Sequence, residues 1–417
     1  MKYLLHTYGC RANQYDSEAV RAMLSAAGAS EVFRAEDADI AVFNSCSVTA
    51  AAEAHLRGDV RRVARDNAKI RTVVMGCAAG VPERNEMKAP LRTLPRVSDL
   101  IPGADLESLA AALGVDARRG SSLPWPQTGA RALLRIQDGC DEHCTFCVTT
   151  LARGQNRSRP AEEIVREAQV LSTSHPEIVI TGIHIGGYGK DSGGTLGALV
   201  SLLVNSVPHV RFRLSSLEAT EVDGELRELF QDGAARLAPH LHAPLQSGSD
   251  SVLKTMGRHW YSAAMYATAV ESIVASRATF ALSADVIAGF PGETAEDHAS
   301  TMSLIAGLPF TSLHVFQYSP RPGTASLRMR NAVDNSVASR RASELREAGR
   351  MKGQAYIASR AGGRADVVAV RRDEGLTEDY LSVALGNGSV ERRSRFDASL
   401  ELTAGRLTAV PISSAAS

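Results

Sequence analysis

ALLRIQDGCDEHCTFC, residues 132–147, runs from an apolar strand pattern into three cysteines spaced four and three apart. Strands recur downstream at a spacing near 30 residues: EIVITGI from 177, VRFRLSS from 210, HLHAPL from 240, FALSADVIAGF from 280 and SLHVFQYS from 312. Helical patterns lie between them. Six βα units make an open parallel barrel, shorter than the closed eight-unit form, with its chemistry at the carboxyl ends of the strands. The distinctive side chains fall there. Cys140 follows the first strand, Gly182 and His184 end the second, Ser215, Ser216 and Glu218 end the third, and Gln246 to Gly248 end the fourth. The fifth runs into Gly289 and Pro291, the sixth into Tyr318 and Arg321.

Upstream, the apolar runs KYLLHTYGC, DIAVFNSC and RTVVMGC alternate with helical patterns near 15–27 and 48–66. They predict a small parallel α/β sheet of three strands. A cysteine, Cys10, Cys46 or Cys77, closes each run, so ligands far apart in sequence converge at one sheet edge. Asn13, Asp16, Ser17 and Glu18 follow Cys10 where a helix should begin, and Asp16 and Ser17 have helix-cap chemistry. RRGSSLPWPQTG, 118–129, breaks any regular element and reads as a linker. After a basic helix ending near 358, short β-type runs broken by Gly and Asn predict a small β-barrel. The fold class is α/β: a small N-terminal parallel sheet domain (1–115), a linker (116–129), a central six-unit open (β/α) barrel (130–350) and a small C-terminal β-barrel (351–417).

With 46 basic and 46 acidic residues the chain carries no global signal for nucleic acid, and any charged surface must be local. Three local excesses exist. Residues 55–71 carry six basic against two acidic side chains, which also suits a solvated helix face, residues 321–352 carry eight against three, and a short third, Arg153, Arg157 and Arg159, follows the compact cysteines. The second patch and the tail barrel are expected to form one RNA groove with the barrel mouth. The tail itself, 361–417, has seven basic and eight acidic residues, so its composition alone does not mark an RNA binder. No apolar run approaches the roughly 18 residues of a membrane span, and MKYLLHTYGC is too short and polar for a signal peptide. A cytoplasmic protein without membrane contact, acting as a monomer, is expected.

All six cysteines thus fall into two triplets, Cys10/Cys46/Cys77 and Cys140/Cys144/Cys147. A four-iron cluster normally takes four thiolates, so a triplet leaves one iron open to substrate or cofactor. Structural zinc and buried thiols are the alternatives, but closed zinc sites want four ligands and these spacings are not paired Cys-x-x-Cys. His184, His240 and His242 are not read as metal ligands: the iron sites are already supplied, and strand alternation sets His240 and His242 on one face, apart from Leu241.

The run GCDEHCTFC after the first strand of a six-unit barrel resembles the radical S-adenosylmethionine enzymes. Ordered motifs along the chain narrow the resemblance to the methylthiotransferases: TYGCRANQYDSE at 7–18, NSCSVTAAA at 44–52, MGCAAG at 75–80, TGIHIGGYG at 181–189, RLSSLEA at 213–219, HLHAPLQSGSDSVLKTMGR at 240–258, DVIAGFPGET at 285–294 and FQYSPRPGT at 316–324. The C-terminal segment looks like the TRAM domain that this family uses on RNA. TGIHIGGYG and NSCSVTAAA look most like the members that methylthiolate N6-threonylcarbamoyladenosine, at carbon two of the adenine, beside the tRNA anticodon. Sister groups act on N6-isopentenyladenosine of tRNA or on a ribosomal-protein aspartate. A non-catalytic iron-sulfur protein that binds RNA is the reading from a different class.

The resemblance implies two 4Fe-4S clusters, one on each triplet, with S-adenosylmethionine as cofactor, tRNA as substrate, and a reductant and a sulfur donor still to be identified. The Cys140/Cys144/Cys147 cluster would generate a 5′-deoxyadenosyl radical, and the Cys10/Cys46/Cys77 cluster would present methylated sulfur. Phe146 matches the family's aromatic position near the adenine, while Gly182, His184, Ser216, Glu218 and Gln246 are the expected cofactor-binding residues. Arg153 is placed for a phosphate or carboxylate, with an ordinary surface arginine as the alternative. Three departures bear on loop shape and substrate fit. Thr149 and Thr150 stand where the family usually has an aliphatic residue and proline, and Ala219 and Gln317 stand where proline is common.

Overall fold

The structure is a computed structural model that describes residues 1–47, 50–81, 90–116, 126–233, 236–275, 277–386 and 390–412. Most of the expected linker, at 117–125, lies outside the described residues.

The N-terminal unit is a parallel sheet of five strands, β1 (Lys2–Thr7), β2 (Ser30–Glu31), β3 (Ile40–Ser45), β4 (Arg71–Gly76) and β5 (Val97–Pro102), in the order β2-β1-β3-β4-β5. Successive side chains of a strand point to opposite faces, and helices cover both faces here. Leu5, Val42 and Val73 pack with Val20, Met23 and Leu24 of helix α1 (Arg11–Ala26), whereas Leu4, Phe43 and Val74 pack with Leu56, Val60 and Val63 of α2 (Ala50–Asp66). Three strands are predicted from the sequence; the extra two are edge strands. One is two residues long and the other, VSDLIP, is mostly half-exposed, so neither carries the apolar run that marks a buried strand. A short helix, α3 (Cys77–Gly80), continues β4, and α4 (Leu106–Leu113) follows β5.

The core holds six parallel strands in two sheets. The first is β6 (Ala132–Arg135), β9 (Glu177–Thr181) and β10 (Arg211–Leu214); a small antiparallel pair, β7 (Gln137–Asp138) and β8 (Arg157–Ser158), lies between β6 and β9 in sequence. The second is β11 (His240–His242), β12 (Ala281–Ala288) and β13 (Ser312–Gln317). Among the described residues only isolated bridges, Phe212↔Leu237 and Ser216↔His242, join the β10 side to the β11 side, so the barrel is splayed there. Its outward side chains, among them Leu134, Ile180, Phe212, Leu241 and Val286, form one continuous core under the helices. His240 and His242 face the lumen on the opposite side of β11 from Leu241, as alternation requires.

The 25-residue helix Asn335–Ser359 leads to a closed barrel of β14 (Arg364–Ala369), β15 (Glu374–Thr377), β16 (Ser382–Leu385), β17 (Arg395–Thr403) and β18 (Arg406–Pro411), in the order β14-β15-β16-β18-β17. This barrel closes the floor of the core. The fully buried Glu177 carboxylate accepts from Arg211 Nε at 2.6 Å, Arg213 Nε at 2.9 Å and Arg131 Nη1 at 3.2 Å. Arg211 and Arg213 then donate to the carbonyls of Asp366 (2.6 Å) and Thr377 (3.0 Å). Tyr380 stacks on His240 with ring centres 4.5 Å apart and takes a hydrogen bond from Arg11 Nη2 at 2.5 Å.

Candidate functional site

Cys10, Cys46 and Cys77 stand at the carboxyl ends of the adjacent strands β1, β3 and β4. Two glycines with left-handed φ make the approach possible. A Cβ on Gly9 (φ +93°) would lie 2.7 Å from Cys46 Cβ and Sγ, and one on Gly76 (φ +93°) would meet the Ser45 carbonyl and the Asn44 side chain. Asn13 sits in the middle. Its Oδ1 lies 4.0 Å from Cys10 Sγ and 3.9 Å from Cys77 Sγ, while its Nδ2 donates to the carbonyls of Tyr8 and Ser45 at 2.9 and 2.8 Å. Burial pushes the Cys77 thiol up to about 11 against the pull of Arg153. The helix begins at Arg11, with Cys10 as its N-cap, so Asp16 and Ser17 lie in its second turn rather than at its start. Their buried side chains make tertiary bonds instead of caps: Asp16 takes Arg135 Nη1 at 2.6 Å and Arg153 Nη2 at 2.8 Å, and Ser17 takes Thr7 Oγ1 at 2.7 Å.

The second triplet rides on an irregular loop after β7. A Cβ on Gly139 (φ +75°) would collide with the Gln155 backbone, and Cys140 N–H donates to the Gly154 carbonyl at 3.0 Å. His184 Nδ1 lies 3.8 Å from Cys140 Sγ, and its Nε2 pairs with Glu221 at 2.9 Å. Burial alone would lower the His184 pKa, but the bonds to Cys140 and Glu221 outweigh it and carry it to about 10. Arg258 Nη1 donates to Cys144 Sγ at 3.3 Å and its Nη2 pairs with Glu218, whose second oxygen accepts from Trp260 Nε1 at 2.6 Å. Burial lifts the Cys144 thiol to about 12, with Arg258 opposing. Cys147 Sγ lies 3.0 Å from Thr149 Oγ1 and 3.4 Å from Thr149 N.

The expected cofactor residues gather around this loop in different ways. Phe146 packs edge-on against Phe290, with Ile287 and Tyr318 in the same cluster. Gly182 has ordinary backbone angles; its lack of a side chain admits Gln137, whose Oε1 accepts from Ile183 N and His184 N at 3.1 and 2.9 Å. Ser216 is exposed at the strand end, and Gln246 adopts φ +64° while its backbone pairs with the β12 strand. Several functional neighbours are not evident in the sequence. Arg258, Glu221 and Trp260 are ordinary residues there, and only the fold brings them onto sulfur or onto its partners. Asp285 with His242 and His314 forms a further group in the lumen, its ligand atoms all within 4.8 Å of one another.

One contact unites the triplets. The chain leaves Cys147 into helix α5 (Thr149–Arg153), whose five residues advance about 6 Å. This helix packs on α3, with Cys77, Val81, Val148 and Ala152 in one apolar cluster, and Gly80 is small enough to rest on the Ala152 carbonyl. Arg153, fully buried in its side chain, reaches Cys77 Sγ at 3.4 Å and Asn13 Oδ1 at 2.6 Å. Arg321, at the end of the sixth strand's loop, reaches across to Glu53 of α2 at 3.3 Å. The charged patches thin out in three dimensions. Arg57 pairs with Glu53 and Arg62 with Asp59; Arg341 is buried on Glu293, and Arg340 and Arg350 pair within their helix.

Residues 134–305 match the family model of the Radical SAM superfamily, and residues 2–94 match an uncharacterized protein family, UPF0004. The solved structure of the radical S-adenosylmethionine methyltransferase TsrM from Kitasatospora setae, with cobalamin and a [4Fe-4S] cluster bound, aligns at a TM-score of 0.52 and 14% identity over 78% of this chain and 76% of that one. The open barrel and the cysteine loop at its mouth are those of a radical S-adenosylmethionine enzyme, a transferase. The chain is 36% identical over 360 residues to the threonylcarbamoyladenosine tRNA methylthiotransferase MtaB of Bacillus subtilis, covering 82% of this chain and 78% of the relative. It is 33% identical over 398 residues to the tRNA-2-methylthio-N(6)-dimethylallyladenosine synthase of Bartonella tribocorum, covering 88% and 85%. This chain belongs to the radical S-adenosylmethionine methylthiotransferase family. Among the described residues no helix is long and apolar enough to cross a membrane.

Proposed function

We propose that the protein transfers a methylthio group to carbon two of N6-threonylcarbamoyladenosine beside the anticodon of tRNA. What carries this reading is the similarity to relatives named for that nucleoside, at 36% identity in Bacillus subtilis and 33% in Thermotoga maritima. We assign one 4Fe-4S cluster to Cys140, Cys144 and Cys147 and a second to Cys10, Cys46 and Cys77. The donor chemistry fits: each set offers three converging sulfurs, and an arginine, Arg258 or Arg153, faces each to offset anionic charge. Buried thiols with raised pKa values give up their protons when iron binds. When bound, the clusters with S-adenosylmethionine supply a radical able to take the adenine hydrogen and the sulfur that replaces it.

The chain's own residues position and shield. Phe146, backed by the buried Phe290, presents an apolar face for the cofactor's adenine, and Ser216, Glu218 and Gln246 hold its polar groups. His184, fixed by Glu221, orients toward Cys140. Arg153 and the α3–α5 contact close the space between the two sets, which excludes water from a reactive intermediate. The units divide at 115, 129 and 350, act in the cytoplasm as a monomer, and draw on an external reductant and sulfur donor. Nucleoside digests of tRNA from cells with and without the gene test the assignment. Loss of 2-methylthio-N6-threonylcarbamoyladenosine is expected, and an unchanged methylthio-nucleoside inventory refutes it.

A further inference from the structure

The lumen of the core barrel holds a polar group that the cysteine chemistry does not use. On β12, Leu282, Ala284 and Val286 face the helices, so Ser283, Asp285 and Ile287 face the lumen. On β13 the same alternation turns His314 and Phe316 inward, and register pairs Asp285 with His314 and Ile287 with Phe316. On β11, His242 is inward and pairs with Ser283. Asp285 Oδ2 lies 3.3 Å from His242 Nε2, Asp285 Oδ1 lies 3.4 Å from His314 Nδ1, and Ser283 Oγ fixes the other His242 nitrogen at 2.9 Å.

The height of this group in the barrel matters. Ile287 packs on the same buried cluster, Val252, Met256 and Phe290, as Phe146, which stands between Cys144 and Cys147. Asp285 is the next inward side chain on the same strand, about 7 Å below. The group therefore lines the barrel lumen below the cysteine loop. His314 has 55% of its side chain exposed and Phe316 is 39% exposed, so an imidazole edge and an aromatic face both lie open there.

We propose that His314, held by Asp285, donates a hydrogen bond to the polar substituent on N6 of the substrate adenine and thereby selects which modified adenosine is accepted. This rests on the reading of the substrate as N6-threonylcarbamoyladenosine, whose side chain carries a carboxylate and a hydroxyl. Burial raises the Asp285 pKa, but the bonds from His242 and His314 outweigh it and keep the carboxyl ionised. With Nδ1–H on the Asp285 carboxylate, Nε2 has a proton to donate only in the imidazolium form of His314, and it is that form that faces the ligand, while Phe316 offers its ring to an unstacked base. A dimethylallyl group, all hydrocarbon, would leave this polar set desolvated and unpaired, which is the strongest form of discrimination available to a binding site. Each imidazole nitrogen faces its own oxygen of Asp285, the pattern of two hydrogen bonds rather than of three lone pairs converging on an ion.

The test uses reconstituted enzyme and three anticodon stem-loop RNAs, carrying N6-threonylcarbamoyladenosine, N6-dimethylallyladenosine or adenosine. His314→Leu is expected to raise KM for the first RNA roughly ten- to hundredfold, the loss of one charge-assisted hydrogen bond, with kcat changed far less. His314→Gln, which keeps a donor, should recover part of the KM. An unchanged KM in His314→Leu, with the wild type preferring the threonylcarbamoyl RNA, overturns this inference alone. Wild-type preference for the dimethylallyl RNA overturns the substrate reading and the inference with it. A stoichiometric divalent ion, in excess of cluster iron and lost in His314→Leu, overturns it in favour of a metal site.

Discussion

Arg153 Nε stands 3.4 Å from Cys77 Sγ, so the loop that carries one thiol set ends on the other. The same guanidinium holds Asn13 Oδ1 and Asp16 Oδ2, and Asn13 in turn touches both Cys10 and Cys77. The burial of Arg153 is tolerable because every face of the fork has a partner, and the proximity of Asp16, Cys77 and Asp138 raises its pKa despite that burial.

Arg153→Ala should uncouple the two halves of the reaction. Asp16 keeps only Arg135, and removing one partner of a buried pair costs about 3–5 kcal/mol. Formation of 5′-deoxyadenosine should persist in the variant while methylthio product falls at least tenfold. Arg153→Lys should not rescue, since an ammonium cannot reach sulfur, amide and carboxylate together. Chromatographic quantification of both products checks this, and equal loss of the two would place Arg153 in general folding instead.

Cys144→Ala should abolish S-adenosylmethionine cleavage and leave about four irons per chain, whereas Cys46→Ala should leave cleavage intact and stop sulfur insertion. Anaerobic reconstitution of the wild type should give about eight irons. Methylthio product from Cys46→Ala would refute this division of labour.

The backbone plan was legible from apolar runs recurring at regular spacing, and both cysteine sets because four of those runs, the three of the N-terminal sheet and the first of the barrel, have a cysteine just beyond them. The two edge strands of the N-terminal sheet were not, for Ser30–Glu31 and VSDLIP bury too little to show a pattern. Nor were the sulfur's polar neighbours. Arg258 lies 114 residues from Cys144 and Arg153 lies 76 from Cys77, and no local spacing joins such pairs. Alternation sets His242 on the lumen face, but its union with Asp285 and His314 depends on the register of three parallel strands, which alternation alone does not give.

Thr149 places a hydroxyl 3.0 Å from Cys147 Sγ. A hydrogen bond to a cluster sulfur stabilises the reduced, more negative state. Thr149→Val should lower the midpoint potential of that cluster by about 20–60 mV, the one-electron equivalent of a bond contributing about 0.5–1.5 kcal/mol. Potentiometric titration followed by electron paramagnetic resonance reads the shift; a potential unmoved within a few millivolts would show that the hydroxyl does not bond the cluster.

Glu177 should be the most sensitive position for stability outside the sites. It is fully buried under Arg131, Arg211 and Arg213, and its pKa lies well below the ordinary value because their charges outweigh the burial that would raise it. Glu177→Gln leaves three guanidiniums without their shared anion, two of them completely buried, at a cost of about 3–5 kcal/mol. The damage should spread, because Arg211 and Arg213 also hold the Asp366 and Thr377 carbonyls of the C-terminal barrel. Limited proteolysis should release that barrel, cutting near the end of helix Asn335–Ser359, at denaturant concentrations where the wild type stays intact. A single cooperative loss of the whole chain, with no separate release of the barrel, would show that the arginine floor stabilises the core alone.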